Sequence, residues 1–323
     1  MSLATGVLAG LAVSLIATRI VELAARRRQL FDVPNKRSSH EVPTPRLGGI
    51  GIIAGTVAAM AASGGFADSR ASIVLLGGAF VAGVGLVDDL KGTSVTAKLA
   101  GQIAGATGTV FLLNPVLAVG AEHVTMTTQP SPVAWVIVIA WIVAICNVVN
   151  FMDGTDGLVA GYASVAAISL GFFLGASPLF GALGAGCLGF LVWNRSPASI
   201  FMGDSGSQFI GFVLGAGLMA RGEAATLPVG ILVLAPLLFD TTLTLLRRVA
   251  AGRSVLEAHR EHLYQKIADR WGQRAAAMLY TGAGAVCAVA AYAYINGLTF
   301  PAIALGTAVL AVILGAYFRS SDT

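Results

Sequence analysis

Residues 133–149 read VAWVIVIAWIVAICNVV, a stretch in which no side chain is charged. A helix of about 17 to 25 predominantly apolar residues is long enough to cross the hydrocarbon core of a bilayer. Polar residues follow the stretch directly, as Asn150-Phe-Met-Asp153-Gly-Thr-Asp156-Gly157. The sequence therefore predicts a membrane-spanning helix that carries polar groups to one membrane surface at its end.

Similar apolar stretches recur along the whole chain of 323 residues. The chain is 56% apolar and only 11% charged, with a mean hydropathy of +0.81, whereas an ordinary globular domain has about 25% charged residues. We predict an all-α, polytopic integral membrane protein with about 11 transmembrane helices, forming one transmembrane domain over residues 1–323. Several segments are short and rich in glycine, so ten helices are an alternative. The predicted spans lie near 3–24, 47–65, 71–87, 99–114, 133–149, 158–176, 179–193, 207–220, 227–246, 275–295 and 299–318.

The basic residues indicate how these helices are oriented. Cytoplasmic loops of membrane proteins carry an excess of Lys and Arg. Seventeen of the 20 Lys and Arg residues fall at one set of span ends, whereas only Arg70 and Arg221 fall at the other. We therefore predict that the N-terminus lies outside and the C-terminus is cytoplasmic. Because Arg26-Arg27-Arg28 follows the first span, that span is read as a retained helix rather than a signal peptide.

Net charge and cysteine content give no support for nucleic-acid binding, for disulfides or for a cysteine metal site. A formal net charge of +4 is small and gives no reason to expect nucleic acid as a partner. Cys146, Cys187 and Cys287 lie in or beside apolar runs and lack the spacing of disulfides or of a cysteine metal site. We expect all three to be small buried apolar residues.

Five of the 16 acidic residues fall at the predicted cytoplasmic ends of spans. These are Asp88 and Asp89, Asp153 and Asp156, and Asp204. Each group taken alone is equally compatible with a helix cap or a tight turn. Taken together, five carboxylates near hydrocarbon repel one another unless a cation lies among them. Oxygen ligands without cysteine favour a hard ion such as Mg²⁺.

The residues alone therefore predict a polytopic enzyme that carries out Mg²⁺-assisted phosphoryl transfer on a membrane lipid. Asn147 and Asn150 share one helical face and can donate amide hydrogens to such a site. Asp240, inside the ninth span, is expensive in lipid, and either a functional role or a structural hydrogen bond explains it. The segments expected to form the active site on the cytoplasmic face are 25–46, 88–98, 147–157, 194–207 and 247–274.

Four ordered motifs carry a family resemblance. They are Val87-Asp88-Asp89-Leu90, Asn147-x-x-Asn150-x-x-Asp153-Gly-x-Asp156-Gly-Leu158, Phe201-Met-Gly-Asp204-Ser-Gly-Ser, and a late basic loop that contains His262. The chain resembles the polyprenyl-phosphate N-acetylhexosamine-1-phosphate transferases, within glycosyltransferase family 4, from about Asp32 to His262.

The resemblance implies a reaction and a location. A polyprenyl phosphate, such as undecaprenyl phosphate, attacks the β-phosphate of a UDP-sugar, giving polyprenyl-diphospho-sugar and UMP. The expected cofactor is Mg²⁺, for which Mn²⁺ can substitute. The expected partners are the UDP-sugar donor, the polyprenyl phosphate acceptor, membrane lipid and a second copy in a homodimer. Such enzymes are multi-pass proteins of the bacterial cytoplasmic membrane with a cytoplasmic active site, and they start a surface glycan such as O-antigen, cell wall or teichoic-type polymer.

The resemblance also implies roles for individual residues. Asp204 corresponds to the Mg²⁺ ligand, with Asp88 or Asp89 as a further ligand. Phe201 corresponds to an aromatic residue on which the uracil can stack. The catalytic candidates are Asp88, Asp89, Asp153, Asp156 and His262, and the substrate-binding candidates are Asn147, Asn150, Asn194, Phe201, His259, Arg260 and Arg46.

The last loop departs from the family pattern. The family commonly has two or three clustered histidines there, whereas this chain has His262-Leu-Tyr264-Gln265, with His259 three residues upstream on the same predicted helical face. The change resembles the branch that initiates O-antigen and related glycans, which makes a muramoyl-pentapeptide donor the less expected one.

Two other classes of protein remain as alternatives. A lipid-linked-sugar transporter or flippase explains many spans and buried charge, but transporters place their sites near the bilayer midplane, often between repeated halves. Another Mg²⁺-dependent membrane phosphatidyltransferase is also rich in Asp and Gly, but its spaced acidic pattern is missing after Asp153-Gly154.

Overall fold

The computed structural model describes residues 2–34, 42–113, 117–119, 124–126, 132–174, 177–220, 226–255, 257 and 259–321. Over these ranges the chain is almost entirely helical, which confirms the predicted all-α class. The helices are α1 (Leu3–Arg27), α2 (Gly49–Ser63), α3 (Ser69–Lys91), α4 (Val95–Leu113), α5 (Pro132–Met152), α6 (Leu158–Phe173), α7 (Pro178–Asn194), α8 (Gly203–Ala220), α9 (Thr226–Ala250), α10 (Leu263–Trp271), α11 (Gln273–Ile295) and α12 (Thr299–Ser321).

The remaining regular structure is short. Strands β1 (Phe31–Asp32) and β2 (Thr44–Pro45) form one antiparallel pair, and β3 (Leu117–Val119) and β4 (Val124–Met126) form another. A 3₁₀ turn covers Gly65–Ala67. The β1–β2 pair closes the base of the loop between α1 and α2, so it fixes where α2 begins.

Each of the eleven predicted spans corresponds to one helix. Within the described ranges, six helices are long and apolar enough to cross a membrane by length and composition. These six are α1, α3, α5, α9, α11 and α12, and the multi-pass character of the chain is therefore confirmed. The direction in which the helices point stays a prediction, as does the division into domains.

The predicted loop 247–274 is more structured than the sequence suggested. Helix α9 continues to Ala250, and the additional helix α10 lies within the loop. Helix α10 has nine residues, too few to span a bilayer, and it buries Leu263, Tyr264, Ile267 and Ala268. These positions recur at the spacing of one helical face, so α10 is an amphipathic helix that packs against α11 and α12.

Helix α8 lies at the centre of the helices that bear the acidic motifs. Every residue of 205–220 is buried, and α2, α3 and α5 all contact the helix. Close approach depends on small residues, because a Cβ at Gly85 of α3 would lie only 2.6 Å from the carbonyl carbon of Asp204. This packing holds the N-terminus of α8 against the end of α3.

All three cysteines are free and buried, as predicted. Cys146 lies on α5, Cys187 on α7 and Cys287 on α11, so they serve as small packing residues in three different helices.

Candidate active site

The N-terminus of α8 is held by a carboxylate from α3. Asp89 is buried, and its Oδ1 accepts a hydrogen bond from the backbone N of Asp204 at 2.8 Å while its Oδ2 accepts from the backbone N of Ser205 at 3.0 Å. The first N–H groups of a helix have no partner within the helix, and a negative charge there also interacts favourably with the helix dipole. Asp89 is therefore a helix cap supplied by a neighbouring helix.

Gly203 makes this contact possible. Its φ is +75°, in the left-handed region, and a Cβ there would lie 2.7 Å from Asp89 Oδ2. A side chain would be strained and would displace the cap. The glycine of the Met-Gly-Asp motif thus sets the position of Asp204.

Lys98 joins two of the predicted acidic residues. Its Nζ lies 3.2 Å from Asp88 Oδ2 and 2.9 Å from Asp204 Oδ2. Thr93 donates to Asp88 Oδ1 from both its backbone N, at 2.7 Å, and its Oγ1, at 2.6 Å. The structure thus brings carboxylates from α3 and α8 to a single ammonium group at the start of α4.

Sequence reasoning missed Lys98, which was counted only as one basic residue of a loop. Its position ten residues after Asp88, across a short turn that begins with Gly92, was the available signal. Because the turn between α3 and α4 is short, the start of α4 lies beside the end of α3, and a cation there meets the carboxylates.

Asn150, in the last turn of α5, contacts the same group. Its Nδ2 donates to Asp204 Oδ1 and to Ser207 Oγ, each at 3.0 Å. Both oxygens of the Asp204 carboxylate therefore have a donor, one from α4 and one from α5. Asn150 thus donates its amide hydrogens to a candidate site residue, and its predicted contact with substrate stays a prediction.

Asn147 lies one turn earlier and takes part in a different network. Its Nδ2 donates to Gln102 Oε1 at 2.7 Å and to the carbonyl oxygen of Val143 at 2.8 Å. Gln102 Nε2 in turn donates to Gln208 Oε1 at 2.8 Å. These amides link α4, α5 and α8 one helical turn away from Lys98, Asn150 and Asp204. The geometry therefore favours a supporting role for Asn147 over a substrate contact.

Asp153 and Asp156 lie in the link between α5 and α6 and face different surroundings. Burial raises the pKa of Asp153 well above its usual range, and the nearby charges of Asp204, Asp89 and Asp156 raise it further. Asp156 Oδ2 accepts from the backbone N of Ala198 at 2.9 Å. Asp153 is thus electrostatically coupled to the carboxylate group, whereas Asp156 also anchors the link between α7 and α8.

Asn194 fixes that same link from the end of α7. It is buried, its Oδ1 accepts from the backbone N of Gly157 at 3.0 Å, and its Nδ2 donates to the carbonyl oxygen of Ile200 at 3.0 Å. Both ends of the amide are occupied by backbone groups. The structure therefore gives Asn194 a positioning contact between two motifs, and its predicted contact with substrate stays a prediction.

The segment that carries Arg46 docks on Phe201. The backbone N of Phe201 donates to the carbonyl oxygen of Pro45 at 2.8 Å, and the Phe201 carbonyl accepts from the N of Gly48 at 2.9 Å. Arg46 is half-buried between these contacts, and its side chain has no carboxylate partner among the described residues. The backbone of the segment that carries Arg46 is thus fixed to the backbone of Phe201, from a distant part of the sequence. Residues 35–41, in the middle of the predicted segment 25–46, lie outside the described ranges.

His259 and His262 lie side by side in the non-helical segment just before α10, so the prediction that they share a helical face was wrong. The rings of His259 and His262 are stacked with centroids 5.0 Å apart, and the His262 ring lies 5.9 Å from that of Phe151 at the end of α5. Burial lowers the pKa of His259, and the charges of His262 and Arg248 lower it further. The last loop is thereby placed against the Asn150–Asp153 segment.

Arg260 lies between the two histidines in sequence but has a carboxylate partner. Its guanidinium forms an ion pair with Asp269 on the exposed side of α10. Its predicted contact with substrate stays a prediction.

The comparisons with known proteins agree with these motifs. The sequence profile described as Glycosyl transferase family 4 matches residues 71–221, which contain the five candidate aspartates of the predicted site. The chain is 30% identical over 266 residues to the probable undecaprenyl-phosphate N-acetylglucosaminyl 1-phosphate transferase of Bacillus subtilis, covering 78% of this chain and 74% of that one.

Two further relatives are also named as transferases. The decaprenyl-phosphate N-acetylglucosaminephosphotransferase of Mycobacterium tuberculosis is 32% identical over 354 residues, covering 94% of this chain and 86% of its own length. The phospho-N-acetylmuramoyl-pentapeptide-transferase of Mycolicibacterium paratuberculosis is 32% identical over 290 residues, covering 71% and 78%. This chain belongs to glycosyl transferase family 4.

Proposed function

We propose that the protein transfers N-acetylhexosamine-1-phosphate from a UDP-sugar to polyprenyl phosphate on the cytoplasmic membrane surface and releases UMP. One observation carries the proposal. Asp88, Lys98, Asn150 and Asp204, from four different helices, converge on one small group of charges. Phosphoryl transfer depends mainly on positioning and charge neutralisation, and such a group supplies both.

The relatives favour this reaction over the transporter and phosphatidyltransferase alternatives. All three are named as transferases of a sugar phosphate or its pentapeptide derivative. Two of the three names specify N-acetylglucosamine, so UDP-N-acetylglucosamine is the donor that we propose first.

The donor atoms suit Mg²⁺. Mg²⁺ is typically bound by one or two carboxylates together with substrate phosphates and water. Asp88 and Asp204 each direct one oxygen at the same ammonium, and no group of three or more metal-binding side chains lies together among the described residues. We infer that Asp204 and Asp88 hold the ion and that substrate phosphates complete its ligands. The ion, when bound, neutralises charge on the phosphate that is transferred.

The chain's own residues are suited to hold the reacting phosphates. An oxygen of the polyprenyl phosphate forms a bond to the β-phosphorus of the UDP-sugar, and the bond from that phosphorus to the bridging oxygen breaks, so that UMP leaves. Asp89 is fully engaged as a cap, which leaves Asp88 as the carboxylate of the pair that faces the reacting groups. Lys98 lies beside it and balances the negative charge of the acceptor phosphate.

Two other residues are suited to the donor. Asp153 is electrostatically coupled to the carboxylate group of the site, which places it where the diphosphate of the donor would bind. Arg46 is suited to a nucleotide phosphate because guanidinium binds phosphate in a bidentate manner, and the neighbouring Phe201 offers a ring for uracil.

A donor panel tests the proposal. Purified protein in detergent is given undecaprenyl phosphate, Mg²⁺ and one of UDP-N-acetylglucosamine, UDP-N-acetylgalactosamine or UDP-N-acetylmuramoyl-pentapeptide, and UMP release is followed. We expect UMP with the first donor and only when the lipid phosphate is present. The absence of UMP with every donor, from protein that unfolds cooperatively on heating, would contradict the proposal.

A further inference from the structure

Asp240 is an acidic residue that the proposed reaction does not use directly. It is completely buried in the middle of α9, a helix long and apolar enough to span the membrane. A carboxylate at such a position is expensive and needs several donors around it. The question left open by the sequence is whether its partners are structural or belong to the site.

The donors to Asp240 come from the start of α10, from α11 and from α9 itself. The backbone N of Leu263 donates to Oδ1 at 3.0 Å, and the backbone N of Tyr264 donates to Oδ2 at 2.9 Å. The hydroxyl of Tyr280 on α11 donates to Oδ2 at 2.6 Å. Asp240 therefore caps the N-terminus of α10 in the same manner in which Asp89 caps α8.

Thr244, one turn further along α9, donates from its Oγ1 to Asp240 Oδ1 at 3.3 Å, and the last contact is with His262. Its Nδ1 lies 3.1 Å from Asp240 Oδ1, and both residues are buried. Because the carboxylate accepts hydrogen bonds from two backbone N–H groups and two hydroxyls, it pairs best with an imidazole that carries its proton on Nδ1. The contact orients the imidazole, and with the proton on Nδ1 it leaves Nε2 for another partner.

The rest of the imidazole ring lies against the active-site end of α5. Phe151 is 5.9 Å from the ring of His262, and its carbonyl oxygen accepts from the hydroxyl of Tyr264 at 2.9 Å. Phe151 directly follows Asn150, which contacts Asp204. The buried carboxylate is thus connected to the active-site end of α5 through His262 and Tyr264, and of these two side chains only that of His262 contacts Asp240 itself.

We propose that Asp240 is a positioning residue for the transferase, which fixes His262 with the proton on Nδ1 so that Nε2 meets the diphosphate of the UDP-sugar. The inference rests on the proposed function, because the diphosphate is the anion of that reaction. Tyr280 is the second positioning group, since its hydroxyl holds the other oxygen of Asp240.

A double-mutant cycle on UMP release tests the proposal. In Asp240→Asn an amide NH₂ replaces one acceptor oxygen among five donor groups, so His262 loses its fixed orientation, and we expect kcat to fall about 10- to 100-fold with little change in KM. In a His262→Ala background the same change should cause no further loss of kcat. Losses that multiply in the double mutant would overturn the proposal, because Asp240 would then act independently of His262.

Two further variants separate positioning from folding. Tyr280→Phe keeps the charge of Asp240 and both backbone caps, so we expect it to fold normally, to lower kcat less than Asp240→Asn does, and to have no effect in the His262→Ala background. Asp68→Asn is the matched control, because Asp68 also caps a helix through two backbone N–H groups, those of Arg70 and Ala71, at the opposite end of α3 from the site. It should retain wild-type kcat; a loss equal to that of Asp240→Asn would overturn the proposal.

A labelling measurement does not depend on turnover. Diethylpyrocarbonate reacts with imidazole nitrogen, and mass spectrometry of peptides can measure modification of His262 in the absence of substrate. We expect labelling of His262 to be slow in wild-type protein and faster in Asp240→Asn, since the ring is released from its contact. Equal labelling in both proteins would overturn the proposal. If wild-type protein releases no UMP, the proposed function fails, whereas normal UMP release with equal labelling removes only the role of Asp240.

Discussion

Replacing Lys98 by glutamine is expected to lower turnover and to lower the requirement for divalent cation at the same time. The ammonium lies 3.2 Å from Asp88 Oδ2 and 2.9 Å from Asp204 Oδ2. At an effective dielectric constant of about 20, each contact of unit charges at about 4 Å is worth about 4 kcal/mol before desolvation is subtracted. Lys98 therefore competes strongly with any cation for these two oxygens.

The two effects have different origins and different sizes. Loss of a positive group that stabilises charge in the transition state typically lowers kcat by about 10²- to 10³-fold. Removal of the competing ammonium should lower the Mg²⁺ concentration for half-maximal activity by about tenfold, since 1.4 kcal/mol corresponds to a factor of ten and most of the Coulomb energy is offset by solvation.

The assay is UMP release by Lys98→Gln over a range of Mg²⁺ concentrations. Lys91→Gln is the matched control, because Lys91 is exposed at the end of α3 and should behave as wild type. An unchanged kcat in Lys98→Gln, or a higher Mg²⁺ requirement, would refute the reasoning that places a cation between Asp88 and Asp204.

Three further changes follow from the structure. Asp89→Ala leaves two backbone N–H groups without their acceptor and should lower the free energy of unfolding by about 1 to 3 kcal/mol, seen as a lower Tm, and a Tm equal to that of wild type would contradict its capping role. Asp153→Asn should unfold at a higher temperature than wild type at pH 8 in the presence of chelator. A carboxyl group whose pKa is raised in the folded state lowers the free energy of unfolding as the pH rises through that pKa, and asparagine does not ionise. A Tm at pH 8 equal to that of wild type would count against the raised pKa of Asp153. Single cysteines placed in 25–46 or 247–274 should react with impermeant reagents only from the cytoplasmic side, and labelling from outside would reverse the predicted topology.

The helices were predictable because their length and apolar composition are imposed by the bilayer. The exception is α10, which has only nine residues and lies within the basic segment 247–274, which was predicted to be an active-site loop on the cytoplasmic face. Its position depends on Asp240 of α9, a contact between residues more than twenty positions apart that no local pattern contains.

The sequence named Asp88, Asn150 and Asp204 as candidates, but it revealed neither Lys98 nor the contacts that join these residues. Neighbouring residues on a helix point in directions about 100° apart, so Asp88 faces Lys98 while Asp89 caps α8. Asn147 and Asn150 share a helical face, yet one turn of rise is enough to give them separate partners. These divisions depend on how α3, α4 and α8 pack, which spacing within one segment does not reveal.

The most direct test of the central claim compares wild-type protein with Asp204→Asn in an assay with undecaprenyl phosphate and UDP-N-acetylglucosamine. The account predicts UMP release by wild type that a chelator abolishes and Mg²⁺ restores, and no UMP from Asp204→Asn with a near wild-type Tm. Wild-type turnover by Asp204→Asn, or UMP release that a chelator leaves unchanged, would contradict the claim that the carboxylates at the N-terminus of α8 and the end of α3 form the magnesium-dependent site.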